Sequence, residues 1–335
     1  MCSDVELLGN KGVRISARTM DWESDLHSAF HVVPRGKKVN SFVSAKHSLL
    51  PIEGKSWTSK YGFVGINVYG LPLFFDGLNE KGLSAAILWL EESEFQDLSN
   101  KKQRNISLIY LLEYVLGMCS NVSEVKDAIR HLTICGLHIG ELGNHNGLHL
   151  TIHDKEGKNL VVEGEKGIIK IYDNENGVLT NSPFLHWHET NLRNYCNLTS
   201  LNIPNSNKQV PLGNGSGLLG LPGDSTPPSR FIRLSVLREY SPLCNTAEEG
   251  VEQAFHLLNR ITLVNGEINN SANHSTKNDY TQWEVVRNSI DLKYYFRTNK
   301  NQSIRMIDLQ KLDFSKHDYP SIPMTRGAMF EELTP

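Results

Sequence analysis

Short runs of alternating apolar residues cluster at both ends of this chain and again in its middle, with helical spacing confined to two blocks between them. That order constrains the fold more than any other feature. A parallel doubly wound sheet needs a crossover, usually a helix, between successive strands, whereas here strands follow one another directly. At the start, "VELLG" and "VRISART" flank "GNKG", a glycine turn that predicts a hairpin. A second set runs through "YGFVGINVYG", "LPLFFDGL" and "GLSAAILWL", with "NEKG" as the turn before the last. A third comprises "GLHLTIHD", "KNLVVEG" and "GIIKIYD" and reaches "GVLTNSP"; the tail adds "YTQWEVVRNS", "LKYYFRT" and "SIRMIDL". Helices are predicted over 106–118 and 121–132, then over 183–196, 227–240 and 247–262. The second of these opens with Asn121 as cap and Glu124 completing a capping box. The expectation is an α+β fold, antiparallel sheets covered by helices.

No linker divides the chain, so residues 1–335 are read as one domain. The long Gly/Pro/Asn stretch "NIPNSNKQVPLGNGSGLLGLPGD" reads as a loop of the kind often found at functional sites or interfaces. With 34 Lys+Arg against 37 Asp+Glu the net charge is -3, and no basic excess exists to neutralise nucleic-acid phosphates. The most apolar stretch, "NISLIYLLEYVLGMC", is interrupted by Asn105, Ser107 and Glu113, which argues against a membrane span. Residues 1–20 lack the charged start, apolar middle and small-residue cleavage site of a secretory signal. A cytoplasmic setting is expected, or a periplasmic one if a signal peptide has been removed. Cys2, Cys119, Cys135, Cys196 and Cys244 are scattered and form no CxxC pair, so neither a disulfide framework nor a zinc site is expected.

Cys2 stands directly behind the initiator methionine. If Met1 is removed, one residue carries both a thiol and a free α-amine. A cysteine attacks as thiolate, a minor species near a free pKa of roughly 8.5. The terminal amine, with a reference pKa of about 7.7–8, is suited to take the thiol proton and later return it to a leaving amine. Across the predicted hairpin, "ISARTMDW" supplies Arg18 and Asp21. The reading is that Arg18 stabilises the thiolate and Asp21 anchors the α-amine. The alternative is an accidental cysteine beside a solvated ion pair.

Further stretches decide between the two. "MC", "RTMDW", "DGLNEKGLSAA", "GVLTNSP", "GLLGLPGDSTPPSRFIR" and "YTQW", in that order, resemble the choloylglycine hydrolase family, which includes bile salt hydrolases and penicillin V acylases within the N-terminal-nucleophile hydrolases. The resemblance covers most of the chain up to about residue 310. It implies a four-layer αββα sandwich with Cys2 as nucleophile, Arg18 as its cationic neighbour and Asp21 as the amine anchor. Asn181 matches the asparagine that helps bind the tetrahedral oxyanion, and Arg230 a further active-site arginine. Seven residues past Gly82, where bile salt hydrolases typically carry Asn, this chain has Trp89; penicillin V acylases tend to have an aromatic there. Trp22 is a second aromatic behind Asp21, and Met20 joins them as a candidate pocket residue. Two tryptophans there favour a flat or flexible apolar acyl group. The resemblance implies a hydrolase of linear small-molecule amides, penicillin V or N-acyl homoserine lactones, with conjugated bile salts as the alternative and a non-catalytic ligand-binding or scaffold protein of the same fold as the alternative of another class. It also implies no cofactor and a homotetramer, with the 196–217 loop as candidate contact.

The histidines offer a competing metal reading. "HIGELGNHNGLHLTIHD" holds His138, His145, His149 and His153, and "HWH" holds His186 and His188. The segment around His149 and His153 alternates like a strand, where i and i+4 lie far apart, and no HExxH occurs. No metal is expected. The glycine-rich "GNGSGLLGLPGD" lacks the GK[ST] ending of a phosphate loop.

Overall fold

A computed structural model describes residues 1–45, 48–138, 147–204, 213–269 and 277–334. The predicted hairpin is β1 (Cys2–Leu8) and β2 (Arg14–Trp22), joined over Asn10–Gly12. Lys11 and Gly12 turn there with φ of 52° and 82°, the left-handed region a glycine enters without steric cost. β3 (Ala29–Val33), β4 (Lys38–Val43) and β5 (Ile52–Thr58) occupy a stretch for which the sequence carried no prediction. The second set is β6 (Phe63–Asn67), β7 (Phe74–Asn79) and β8 (Ser84–Trp89). β9 (Asn105–Ser107) takes the first residues of the predicted 106–118 helix, so α1 spans Leu108–Met118; α2 (Val122–Arg130) and β10 (Thr133–Cys135) follow. Asn121 caps α2 as expected, Glu124 N donating to Asn121 Oδ1 at 3.0 Å, but the Glu124 carboxylate accepts from Ser120 N at 2.8 Å rather than closing the box on Asn121 N.

The third set is β11 (Leu148–His153), β12 (Asn159–Glu165), β13 (Ile168–Asp173) and the short β14 (Val178–Leu179). α3 (Leu185–Leu192), α4 (Pro227–Glu239) and α5 (Ala247–Leu258) form the second helical block. α3 ends in a 3-10 turn at Arg193–Tyr195, and α5 stops four residues short of the predicted 262. The tail holds β15 (Ile268–Asn269), β16 (Asn278–Asn288), β17 (Lys293–Thr298), β18 (Asn301–Asp308) and β19 (Ile322–Pro323).

The first sheet runs β14-β1-β2-β16-β17-β18 with β15 on β16, and the second β13-β12-β11-β8-β7-β6-β3-β19. Every pairing in both is antiparallel. One apolar core lies between the sheets and under the second helical block, with Val5 and Val285 from the first sheet, Leu78 and Ala86 from the second, and Phe231 and Leu258 from α4 and α5. The other lies on the outer face of the second sheet, where Ala85 and Ile87 meet Leu112 and Leu116 of α1 and Val125 of α2. The layers therefore read helix, sheet, sheet, helix. Successive residues of β8 enter opposite cores, which is why "SAAIL" is apolar without alternation: a sheet buried on both faces has no polar side. Glu113 in α1 is buried and paired with Lys37 at 2.7 Å. Among the described residues no helix is long and apolar enough to cross a membrane.

Candidate active site

In the β1–β2 ladder Cys2 lies opposite Met20 and Asp4 opposite Arg18. Side chains two apart on a strand share a face, so all four point together toward the second sheet. Cys2 is buried, its Sγ 3.3 Å from Arg18 Nη2 and 3.6 Å from Met20 Sδ. The fully buried Arg18 guanidinium donates to the carbonyls of Phe75 and Ile87, each at 2.5 Å, and to Asp76 at 3.1 Å. It also lies 5.2 Å from the centre of the Trp283 ring. Burial pulls the Arg18 pKa down, but Cys2 and Asp76 outweigh it and raise it above the ordinary arginine value. A fixed cation thus sits against the sulfur.

The backbone of Cys2 is held from the other side. Its N–H donates to Asn181 Oδ1 at 3.0 Å, and Arg230 Nη1 donates to its carbonyl at 2.8 Å. The same buried arginine donates to Asn181 Oδ1 at 2.7 Å, to Ser225 O at 3.0 Å and to the Ser3 hydroxyl. Arg230 therefore touches the backbone of Cys2 and not its sulfur. The backbone around Asn181 is held by a buried frame. His188 Nε2 lies 2.8 Å from Asn181 O, and His149 bridges Thr180 O at 3.1 Å and Glu163 at 2.9 Å. Glu163 also accepts from Leu185 N at 3.2 Å, at the start of α3.

Two site residues hold partners that the sequence reading did not foresee. The expectation for Asp21 concerns the α-amine of Cys2 once Met1 is removed. With Met1 in place, the Met1 amine donates to the Asp21 carbonyl at 2.6 Å, and Asp21 N donates back to Met1 O at 2.9 Å. Met1 simply adds one rung to the β1–β2 ladder. The carboxylate accepts from Thr281 Oγ1 at 2.6 Å and Thr19 Oγ1 at 3.1 Å, with Arg230 at 3.9 Å. Burial pushes the Asp21 carboxyl up, against the pull of Arg230 and the chain terminus. The Asn181 Nδ2, expected at an oxyanion, donates to Trp89 O at 2.7 Å. A primary amide carries two N–H groups, so this bond leaves one for other use.

Cys2, Met20, Trp22 and Trp89 line one narrow cavity of about 40 Å³ together with Leu26, Val68, Tyr69, Phe75, Ile87, Leu88 and Leu148. The Trp22 and Trp89 rings stand 5.8 Å apart at 60° across it. All the predicted pocket residues meet there. The other thiols are remote from this chemistry: burial pushes Cys119 and Cys135 up to about 12, where a thiolate is scarce.

The histidines are engaged elsewhere. His153 Nε2 contacts Asp4 at 2.6 Å; His186 stacks on Phe184 at 6.0 Å; the backbone N–H of His138 donates to Ser44 at 3.0 Å. His145 lies outside the described residues. Among the described residues no three or more His, Cys, Asp or Glu side chains are grouped to hold a metal. Sequence reasoning missed Asp76, Thr19, Thr281 and Arg287. All four lie inside stretches with a strand or family pattern, but a lone Asp, Thr or Arg carries no signal until the strands bring it to the cysteine.

The protein family described as linear amide C-N hydrolases, choloylglycine hydrolase family, matches residues 2–322. A bile salt hydrolase/transferase from Clostridium perfringens is 34% identical over 322 residues, 93% of each chain. The crystal structure of the C2A mutant of the conjugated bile acid hydrolase from Clostridium perfringens superposes with a TM-score of 0.85 at 30% identity, covering 100% of both chains. The penicillin V acylase from Agrobacterium tumefaciens gives a TM-score of 0.76 at 25% identity, covering 96% of this chain and 90% of that one.

Proposed function

The chain belongs to the choloylglycine hydrolase family of linear amide C–N hydrolases and has its N-terminal-nucleophile hydrolase fold, and from this we propose that Cys2, freed of Met1, is the nucleophile. The observation that carries the reading is the sulfur 3.3 Å from a buried, anchored guanidinium while the adjoining backbone nitrogen rests on Asn181. Once Met1 is gone, that nitrogen is the α-amine. It takes the thiol proton, the thiolate attacks the amide carbon, and the oxyanion is met by an Asn181 N–H. Collapse breaks the C–N bond, and the α-amine returns the proton to the leaving amine. Water, deprotonated by the same amine, then cleaves the thioester and releases the acid. Arg18 stabilises the thiolate, while Arg230 and Asp21 hold the new terminus in place.

For the acyl group, the apolar lining and the Trp22–Trp89 pair support a compact, flat acid such as the phenoxyacetyl group of penicillin V, or the flexible chain of an N-acyl homoserine lactone. The second reading, a conjugated bile salt releasing glycine or taurine, is favoured by the 34% identity to the Clostridium perfringens enzyme. Glycocholate, taurocholate, penicillin V and a long-chain acyl homoserine lactone, assayed side by side for released amine, separate the two. Cys2→Ala is expected to abolish turnover and keep the fold; unchanged activity would end the proposal. We also infer a homo-oligomer, a tetramer by resemblance. Exposed Leu201 and Ile203 in the 196–217 loop support it, residues 205–212 of that loop lying outside the described set. Light scattering tests it.

A further inference from the structure

The charge beside Cys2 continues inward. Asp76, which accepts from Arg18 at 3.1 Å, also accepts from Arg287 Nη1 at 3.3 Å and from the Tyr294 hydroxyl. Arg287 Nη2 donates to Asp4 Oδ2 at 2.6 Å, and Asp4 Oδ1 meets His153 Nε2 at 2.6 Å, with Glu6 3.6 Å beyond. Arg18, Asp76 and Arg287 are 0% exposed and Asp4 and His153 1%. They come from β2, β7, β16, β1 and β11, so the series crosses both sheets. Its signs alternate from the sulfur inward: Arg18 positive, Asp76 negative, Arg287 positive, Asp4 negative.

Buried charges of this kind are tolerated only as a paired set, and deleting one member leaves another uncompensated. Arg18 divides its donors between two backbone carbonyls, Asp76 and the sulfur. The direction in which Nη2 points therefore depends on Asp76, which Arg287 and Tyr294 clamp from behind. The charge felt at the sulfur is likewise set by how far Asp76 neutralises Arg18 and how far Arg287 neutralises Asp76. We propose that Asp76 and Arg287 are positioning residues for catalysis, which aim the Arg18 guanidinium at Cys2 and tune the charge it presents to the sulfur.

The proposal rests on Cys2 as nucleophile, but its test reads the thiol itself, so a wrong substrate assignment leaves the outcome interpretable. The mature protein is alkylated with iodoacetamide across a pH series, and modification of the N-terminal peptide is followed by mass spectrometry, apart from that of exposed Cys196. Arg230, Asp21 and the terminal amine, the other charged groups around the sulfur, stay unchanged in every variant. Arg287→Met adds net negative charge, and the half-point of alkylation is expected to rise by about one pH unit, about tenfold slower reaction below it. Asp76→Asn, nearly isosteric, removes a negative charge next to Arg18: the half-point falls, while kcat on an amide substrate drops because the guanidinium has lost its anchor. Arg287→Lys restores the charge and is expected to bring the half-point most of the way back. Parental half-points in folded Arg287→Met and Asp76→Asn, or displacements in the same direction, overturn the proposal. Should Arg287→Met fail to fold, Asp76→Asn and Arg287→Lys decide it: a fall in the first with little displacement in the second supports it, and any other pattern refutes it.

Discussion

Replacing His153 by Gln tests the far end of that buried series through stability instead of chemistry. Burial pulls the imidazole down, but Asp4 at 2.6 Å, and Glu6 behind it, outweigh burial and raise it from 6.5 to about 9. Asp4 is pushed up by burial and pulled down harder by His153 and Arg287, to about 2. A histidine raised on folding contributes stability that is fully present below its unfolded value and lost as pH rises through its folded one. The window is therefore 6.5 to about 9. At 1.36 kcal/mol per pH unit that span amounts to about 3 kcal/mol. The depressed Asp4 carboxylate expresses the same attraction from the acid side, present above 3.8 and lost as pH falls through about 2, and is not added to it. Urea denaturation of parent and His153→Gln from pH 5 to pH 10 measures the effect. The parent is expected to lose stability at up to about 1.4 kcal/mol per pH unit across the window, a slope missing from the variant, so the two curves are furthest apart near pH 6 and converge by pH 10. Parallel curves between pH 6.5 and 9 would refute the assignment of a protonated His153 bound to Asp4.

Three further outcomes are expected. Asn181→Ala removes the proposed oxyanion donor and should lower kcat by about 10²–10³ with KM little changed; a loss confined to KM would reassign the residue to substrate binding. Trp89→Ala deletes one wall of the narrow cavity but leaves the Trp89 carbonyl that Asn181 contacts, so turnover of phenoxyacetyl substrates should fall while bulkier acyl groups gain; equal losses on all substrates would speak against a wall role. Protein that keeps Met1, identified by intact mass, should be inactive, because its terminal amine lies on the Asp21 carbonyl and the nitrogen of Cys2 is an amide.

Helix and strand positions were legible wherever period and punctuation agreed. The Asn121 cap and the "GNKG" hairpin both stand where the pattern puts them. The β4–β5 hairpin was not legible, nor was β9, since a three-residue strand paired with distant β10 leaves no periodic trace. That Cys2, Arg18, Asn181 and Arg230 belong to one cluster could be read from motif order. Their contacts could not. The bond from the Met1 amine to the Asp21 carbonyl was not legible, because backbone pairing at the end of a ladder is decided by register. Asp76 and Arg287 stayed invisible because each is an ordinary charged residue on an apolar strand until other strands place partners within hydrogen-bond reach.

By itself the sequence determined the local things: an alternating pattern that demands sheets, turns that order the strands antiparallel, and one residue carrying a thiol beside a potential terminal amine. Tertiary structure alone decided which buried charges neutralise which. Coulomb energy and desolvation depend on distance through space, and Arg18, Asp76, Arg287, Asp4 and His153 come from five different strands. A linear pattern records which side chains are charged; only packing removes the water that makes their pairing matter.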